Sequence, residues 1–151
     1  MESKLLHEDG GRRTFAVIMK KGDEILSSMK EFARKEHIKA AQITAIGALS
    51  DVVLLYFDWQ KKKYQKTKVN EQVEVASLIG DIALDPDGRP AVHIHLVVGK
   101  SDGAALAGHL GEAHVRPTLE VIIEEAPAYL QKVHDPETGL ALIKTGEPIH
   151  A

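Results

Sequence analysis

Behind one helical stretch, the sequence runs through a series of short apolar, β-branched segments about ten residues apart, with turn-forming residues between them. That order leaves few folds open. Residues 14–21 (TFAVIMKK) predict a strand that ends at Gly22, and Asp23 then has the chemistry of a helix N-cap. Residues 24–37 set Ile25, Met29, Phe32 and Ala33 at the spacing of a helix lying on a core. Residues 40–49 and 51–59 predict two strands joined at Ser50 and Asp51, and residues 64–69 a third. Residues 71–84 predict another strand, in which Gly80 marks a bulge or sharp bend. Asp85-Pro86-Asp87-Gly88 is a turn, residues 90–100, 104–115 and 118–125 are further strands, and residues 127–151 combine a short helix with a turn at 135–139. The expectation is an α+β fold, a mostly antiparallel sheet with one main helix packed on it, as a single domain over residues 1–151. No strand and helix alternate as in a βαβ nucleotide-binding fold, and no glycine-rich phosphate loop is present.

Composition narrows the chemistry. With 44% hydrophobic and 27% charged positions the chain has the make-up of an ordinary globular domain, and 151 residues bury a core without staples. It contains no cysteine, which excludes disulfides and thiolate chemistry, so any metal is held by histidine or carboxylate. The formal charge of −3 gives no overall attraction for a polyanion, and nucleic-acid contact would need a local basic patch. No apolar run reaches the roughly 18 residues of a membrane span, and the first residues lack a signal peptide's apolar stretch. A cytoplasmic protein with no membrane partner is expected.

The chemistry-bearing segment is Ala91-Val92-His93-Ile94-His95-Leu96-Val97-Val98, where alternation sends His93 and His95 to one face of a strand. The following strand carries His109 between Gly108 and Leu110. If the intervening loop is Ser101-Asp102-Gly103, Lys100 pairs with Ala104 and His95 falls directly opposite His109, with Cβ atoms about 4.5–5.5 Å apart. A two- or four-residue loop would turn His109 to the other face. Three imidazoles converging from one face make the ligand set of zinc or another divalent metal with a coordination position left open. The competing reading is hydrogen-bonded or packing histidines, since an H-x-H strand also arises by chance. Glu112, Glu120 and His114 are the nearby groups that can support such a site or act as general base, although Glu112 has the wrong parity unless Gly111 starts a bulge. His7, His37, His134 and His150 lie near turns or termini and are read as solvated. No glutamate follows the H-x-H segment at the spacing a cupin requires.

Seven segments, Gly22-Asp23-Glu24-Ile25, Glu31-Phe32-Ala33-Arg34, residues 45–51 (AIGALSD), residues 74–80 (EVASLIG), His93-Ile94-His95, Gly108-His109-Leu110 and residues 117–121 (PTLEV), together resemble the plants-and-prokaryotes-conserved (PPC) domain over almost the whole chain. Residues 135–143 resemble the tail of its bacterial members. The resemblance implies a strongly bent antiparallel sheet, a homotrimer, and, in some prokaryotic members, a metal commonly taken as zinc on the H-x-H and G-H-L histidines, here His93, His95 and His109. Plant members join the domain to an AT-hook that enters the minor groove of DNA. This chain lacks that basic arm: Gly88-Arg89-Pro90 follows Asp85 and Asp87 and reads as a turn. The partner-binding Gly-Arg-Phe-Glu-Ile-Leu segment of plant members is also replaced here, by Glu71-Gln72-Val73-Glu74-Val75-Ala76.

Two functions from different classes remain. One is a DNA-binding or regulatory protein, with Lys61, Lys62, Lys63, Lys66 and Lys68 as the local basic cluster for weak, salt-sensitive DNA contact. A solvated hairpin is the ordinary meaning of such a run. The other is a zinc-dependent hydrolase or lyase using the open metal position.

Overall fold

The computed structural model describes residues 1–146. In chain order the elements are β1 (Glu2–Asp9), β2 (Arg12–Lys20), α1 (Ile25–Lys35), β3 (Ala40–Asp58), β4 (Lys63–Val69), β5 (Val73–Leu84), β6 (Pro90–Gly99), β7 (Ala105–Glu125), β8 (Gln131–His134) and β9 (Ala141–Lys144). The strands form one nine-stranded sheet, antiparallel except where β8 joins β5 at Leu84 and Gln131. The α+β architecture read from the sequence is the one observed.

Two long strands bend the sheet until it meets itself. β3 pairs with both β5 and β7, and β6 pairs with the same two strands, so β3, β7, β6 and β5 form a closed circuit. The sequence predicts a break in each long strand, at Ser50-Asp51 and before Thr118, but each is continuous. Register shifts between Gly47 and Asp51 absorb the bend in β3, and the ladder to β7 resumes on either side. Pro117 is accommodated because the ladder passes from Val115 to Leu119 without using its missing N–H. At Gly47, with φ +152°, a Cβ would lie 2.3 Å from the Thr118 carbonyl oxygen, so only glycine lets the two strands cross so closely.

Helix α1 packs Ile25, Met29, Phe32 and Ala33 onto the inner face of the sheet. Phe32 meets Phe15 of β2 edge-on, ring centroids 5.3 Å apart. The N-cap is Glu24 rather than Asp23: the Glu24 carboxylate accepts from the Leu26 and Ser27 amides, while Asp23 closes the preceding turn by accepting from Lys20 N. At the far end Arg13 pairs with Glu125 and donates to the Glu36 carbonyl, tying β2, β7 and the end of α1 together.

Three other expectations change. β1 was not legible in the sequence, because it is exposed throughout and carries no buried-face alternation. The bulge in β5 lies between Val75 and Ser77, not at Gly80, where glycine instead permits close approach of β6. In place of a short helix after Pro127 stands the β8–β9 hairpin, turned at Asp135–Gly139, where Asp135 accepts from the Thr138 amide and hydroxyl. His150 lies outside the described residues. No helix among them is long and apolar enough to cross a membrane.

Candidate metal centre

The hairpin between β6 and β7 sets the site. Lys100 N donates to Ala104 O and Gly103 N to Lys100 O, so the loop is the three-residue one, and His95 lies opposite His109 as its parity requires. Ile94, Leu96 and Val98 face the core, so His93 and His95 point outward. His109 pairs on its other side with Leu55 of β3, at the point where the circuit of strands closes.

The three rings gather with centroids 5.0–5.2 Å apart. One ligand nitrogen from each lies within 4.8 Å of the other two, and His93 Nε2 and His95 Nε2 are 3.1 Å apart. Nitrogens bound to one tetrahedral zinc ion lie about 3.3 Å from one another, so small ring rotations suffice to ligate it. Burial, reinforced by the other two histidines and by Lys132, lowers the His109 pKa to about 4, and burial also lowers that of His95. Both are therefore neutral at physiological pH, the form a metal needs.

Behind the rings is a residue that the sequence reading missed. Asp81 of β5, opposite His93 in the ladder, accepts a hydrogen bond from His93 Nδ1 at 3.2 Å. That contact selects the tautomer whose Nε2 lone pair faces the other two histidines. Burial opposes ionisation of Asp81, but the His93 hydrogen bond and the Lys132 charge outweigh it and hold its pKa below the usual value. Its Oδ1 is buried without a hydrogen-bond partner, and Lys132 Nζ lies 3.8 Å away. The four-residue turn read at residues 85–88 would set Asp81 against Val92, whereas the observed register pairs Leu84 with Pro90 and Asp81 with His93.

The remaining named residues lie apart. Gly111 is the extra residue of a bulge between Val53 and Leu54, which turns Glu112 to the histidine face, yet Glu112 does not line the cavity there. Glu120 pairs with Ile18 and Ile46, far along β7. His114 pairs with Asp51, Nδ1 to Oδ1 2.8 Å. The lysines sit on the β3–β4 hairpin, where Lys61 is 3.6 Å from the Asp58 carboxylate and Lys62 lies 3.3 Å over the Trp59 ring. Lys63, Lys66 and Lys68 are exposed along β4.

The histidines open onto a cavity of about 630 Å³. Tyr64 forms one wall, its ring 5.3 Å from that of His109, and the β8–β9 hairpin forms another through Lys132, Leu140 and Leu142. Three imidazoles with a carboxylate behind one of them and free space in front fit a divalent metal with an open coordination position.

A family model, the Plants and Prokaryotes Conserved (PCC) domain, matches residues 6–127. Among solved structures, a metal-containing protein from Archaeoglobus fulgidus is 34% identical with a TM-score of 0.80, covering 87% of this chain and 92% of its own. A plant- and prokaryote-conserved protein from Pyrococcus horikoshii is 31% identical with a TM-score of 0.82, covering 97% and 96%. A protein from Bacteroides thetaiotaomicron described as a "putative DNA binding protein" is 26% identical with a TM-score of 0.82, covering 94% and 96%. The chain is also 29% identical over 133 residues to the bifunctional protein GlmU of Synechococcus, spanning 20% of that protein's length.

Proposed function

The chain belongs to the Plants and Prokaryotes Conserved domain family, and from that premise we propose a homotrimeric, metal-holding protein of the DNA-binding or regulatory kind, with zinc or another divalent metal on His93, His95 and His109. The observation that carries the metal is the convergence of three imidazoles with Asp81 fixing one of them. The metal-containing relative from Archaeoglobus supports it.

The homotrimer draws support from the outer face of the sheet. Ile46 and Ile79 are 61% and 57% exposed, and they share a depression with Ile122. Exposed large apolar side chains grouped in that way are what an interface covers. DNA contact, supported by the Bacteroides relative, is assigned to Lys61, Lys62, Lys63 and Lys66, repeated three times in the assembly. The location that goes with this role is the cytoplasm. Fluorescence anisotropy on an A·T-rich duplex tests it: binding should weaken steeply with salt and fall when these four lysines become alanine. Binding indifferent to both changes contradicts the DNA role.

The cavity in front of the histidines favours a second reading, a zinc-dependent hydrolase or lyase. A metal there would supply Lewis acidity and a water with a pKa of about 7. Among the described residues none of Glu112, Glu120 and His114 lines the cavity, and Asp81 is engaged with His93, so the bases read from the sequence do not reach it and binding ranks ahead of catalysis. Turnover of an ester or hydrated-carbonyl substrate that disappears in His109→Ala would reverse that order.

A further inference from the structure

Lys132 is the one charged side chain in the buried set among the described residues, 8% exposed. It lines the histidine cavity together with His93, His95 and His109, and its ammonium lies 3.8 Å from Asp81 Oδ1. It lies beyond residue 127, where the match to the family domain stops, so the tail of this chain brings it to the site. At 3.8 Å from the Asp81 carboxylate oxygen the ammonium is too far for a hydrogen bond to it, and among the described residues its donors have no other partner.

The charges at this end of the cavity do not balance. A divalent metal on three neutral imidazoles contributes two positive charges, Lys132 one, and Asp81 removes one. The surplus lies beside apolar walls that include Leu55, Leu140 and Leu142, where unbalanced charge is costly. One group that ligates a metal and accepts from an ammonium would relieve it. Among the described residues Lys132 is the only cationic side chain lining the cavity, with no arginine fork or helix N-terminus beside it, which is sparse provision for a phosphate. The hydrocarbon walls suit an apolar body.

Resting on the metal reading above, we propose that this cavity binds a small organic carboxylate with an apolar body, its carboxylate set between the metal on His93, His95 and His109 and the ammonium of Lys132. The β8–β9 hairpin thereby supplies one side of the ligand site and the histidines of β6 and β7 the other.

Cobalt(II) tests both layers separately. The probe is Co²⁺ alone, followed by hexanoate, hexanamide or inorganic phosphate, read by the visible spectrum and by calorimetry. Wild-type protein should load Co²⁺, and hexanoate should then shift the spectrum while hexanamide and phosphate bind far more weakly. Lys132→Met, which keeps most of the stem and removes the charge, should load Co²⁺ with an unchanged spectrum and bind hexanoate about tenfold or more weakly. Leu142→Asp, at a 45% exposed position of the wall, adds a like charge without touching the histidines and should also weaken hexanoate, which keeps the test open if the Lys132 variant does not fold. Co²⁺ loading without any response to hexanoate overturns this proposal and leaves the metal site standing. Equal binding by Lys132→Met, or phosphate binding as tightly as hexanoate, overturns it too. Failure of the wild type to load Co²⁺ overturns the metal reading, and this one with it.

Discussion

The Asp81 carboxylate meets Nδ1 of His93 at 3.2 Å across the β5–β6 ladder, turning the other ring nitrogen toward His95 and His109. Asp81 is therefore a positioning residue, acting on a metal through the ring it holds. Asp81→Asn should lower zinc affinity about 10- to 100-fold, measured by chelator competition, with the urea midpoint much less affected. Affinity equal to wild type would show that His93 needs no such partner.

Gly80 supports the same ring from the backbone. A Cβ there would lie 2.3 Å from the His93 carbonyl oxygen and 2.8 Å from Ile94 Cγ1. Gly80→Ala should destabilise the fold by about 1–3 kcal/mol and weaken zinc binding by displacing β6. Gly88→Ala, where a Cβ meets open space, is the comparison: backbone strain at its φ of +79° should cost stability and leave zinc affinity unchanged.

Ile46 and Ile79, both exposed, line a depression on the outer face of the sheet with Ile122. Ile46→Glu should convert the assembly to monomer in sedimentation velocity without unfolding it, because the side chain is exposed in a single chain. A wild-type protein that sediments as a monomer at micromolar concentration removes the trimer from the account.

The pair of His114 and Asp51 predicts a pH window. The hydrogen bond to Asp51 raises the His114 pKa above 6.5, so its contribution to stability is full below 6.5 and is lost as pH rises through the folded value. Burial disfavours the charge on Asp51, but the bonds from His114 and Ser50 together outweigh it and lower that pKa below 3.8, so the His114 share of this contribution is lost as pH falls through the folded value. The stability difference between wild type and His114→Gln should therefore be greatest between pH 3.8 and 6.5 and shrink on both sides. Urea unfolding across pH reads it, and a pH-independent difference would refute the coupling.

The histidine face was legible because strand parity depends only on alternation and on the length of one loop, and Ser101-Asp102-Gly103 states that length locally. Helix α1 was legible for the same reason, through the spacing of Ile25, Met29 and Phe32. What local pattern does not carry is which strand lies beside which. Asp81 and Lys132 reach the site only through the pairing of β5 with β6 and the return of the tail to β5, contacts across 12 and 51 residues of chain. The length of β3 and β7 was hidden for a related reason: Pro117 and Ser50-Asp51 look like breaks until the ladder on either side is seen to continue. β1 gave no signal, since neither of its faces is buried.

The central claim is a metal held by three histidines, and metal content per chain tests it most directly. Protein purified without a histidine tag, equilibrated with zinc and freed of excess, should carry one zinc per chain by atomic emission. His93→Ala, His95→Ala and His109→Ala should each lose it while retaining the wild-type circular dichroism spectrum. Zinc-free wild type, or zinc retained at full occupancy in all three variants, would contradict the account.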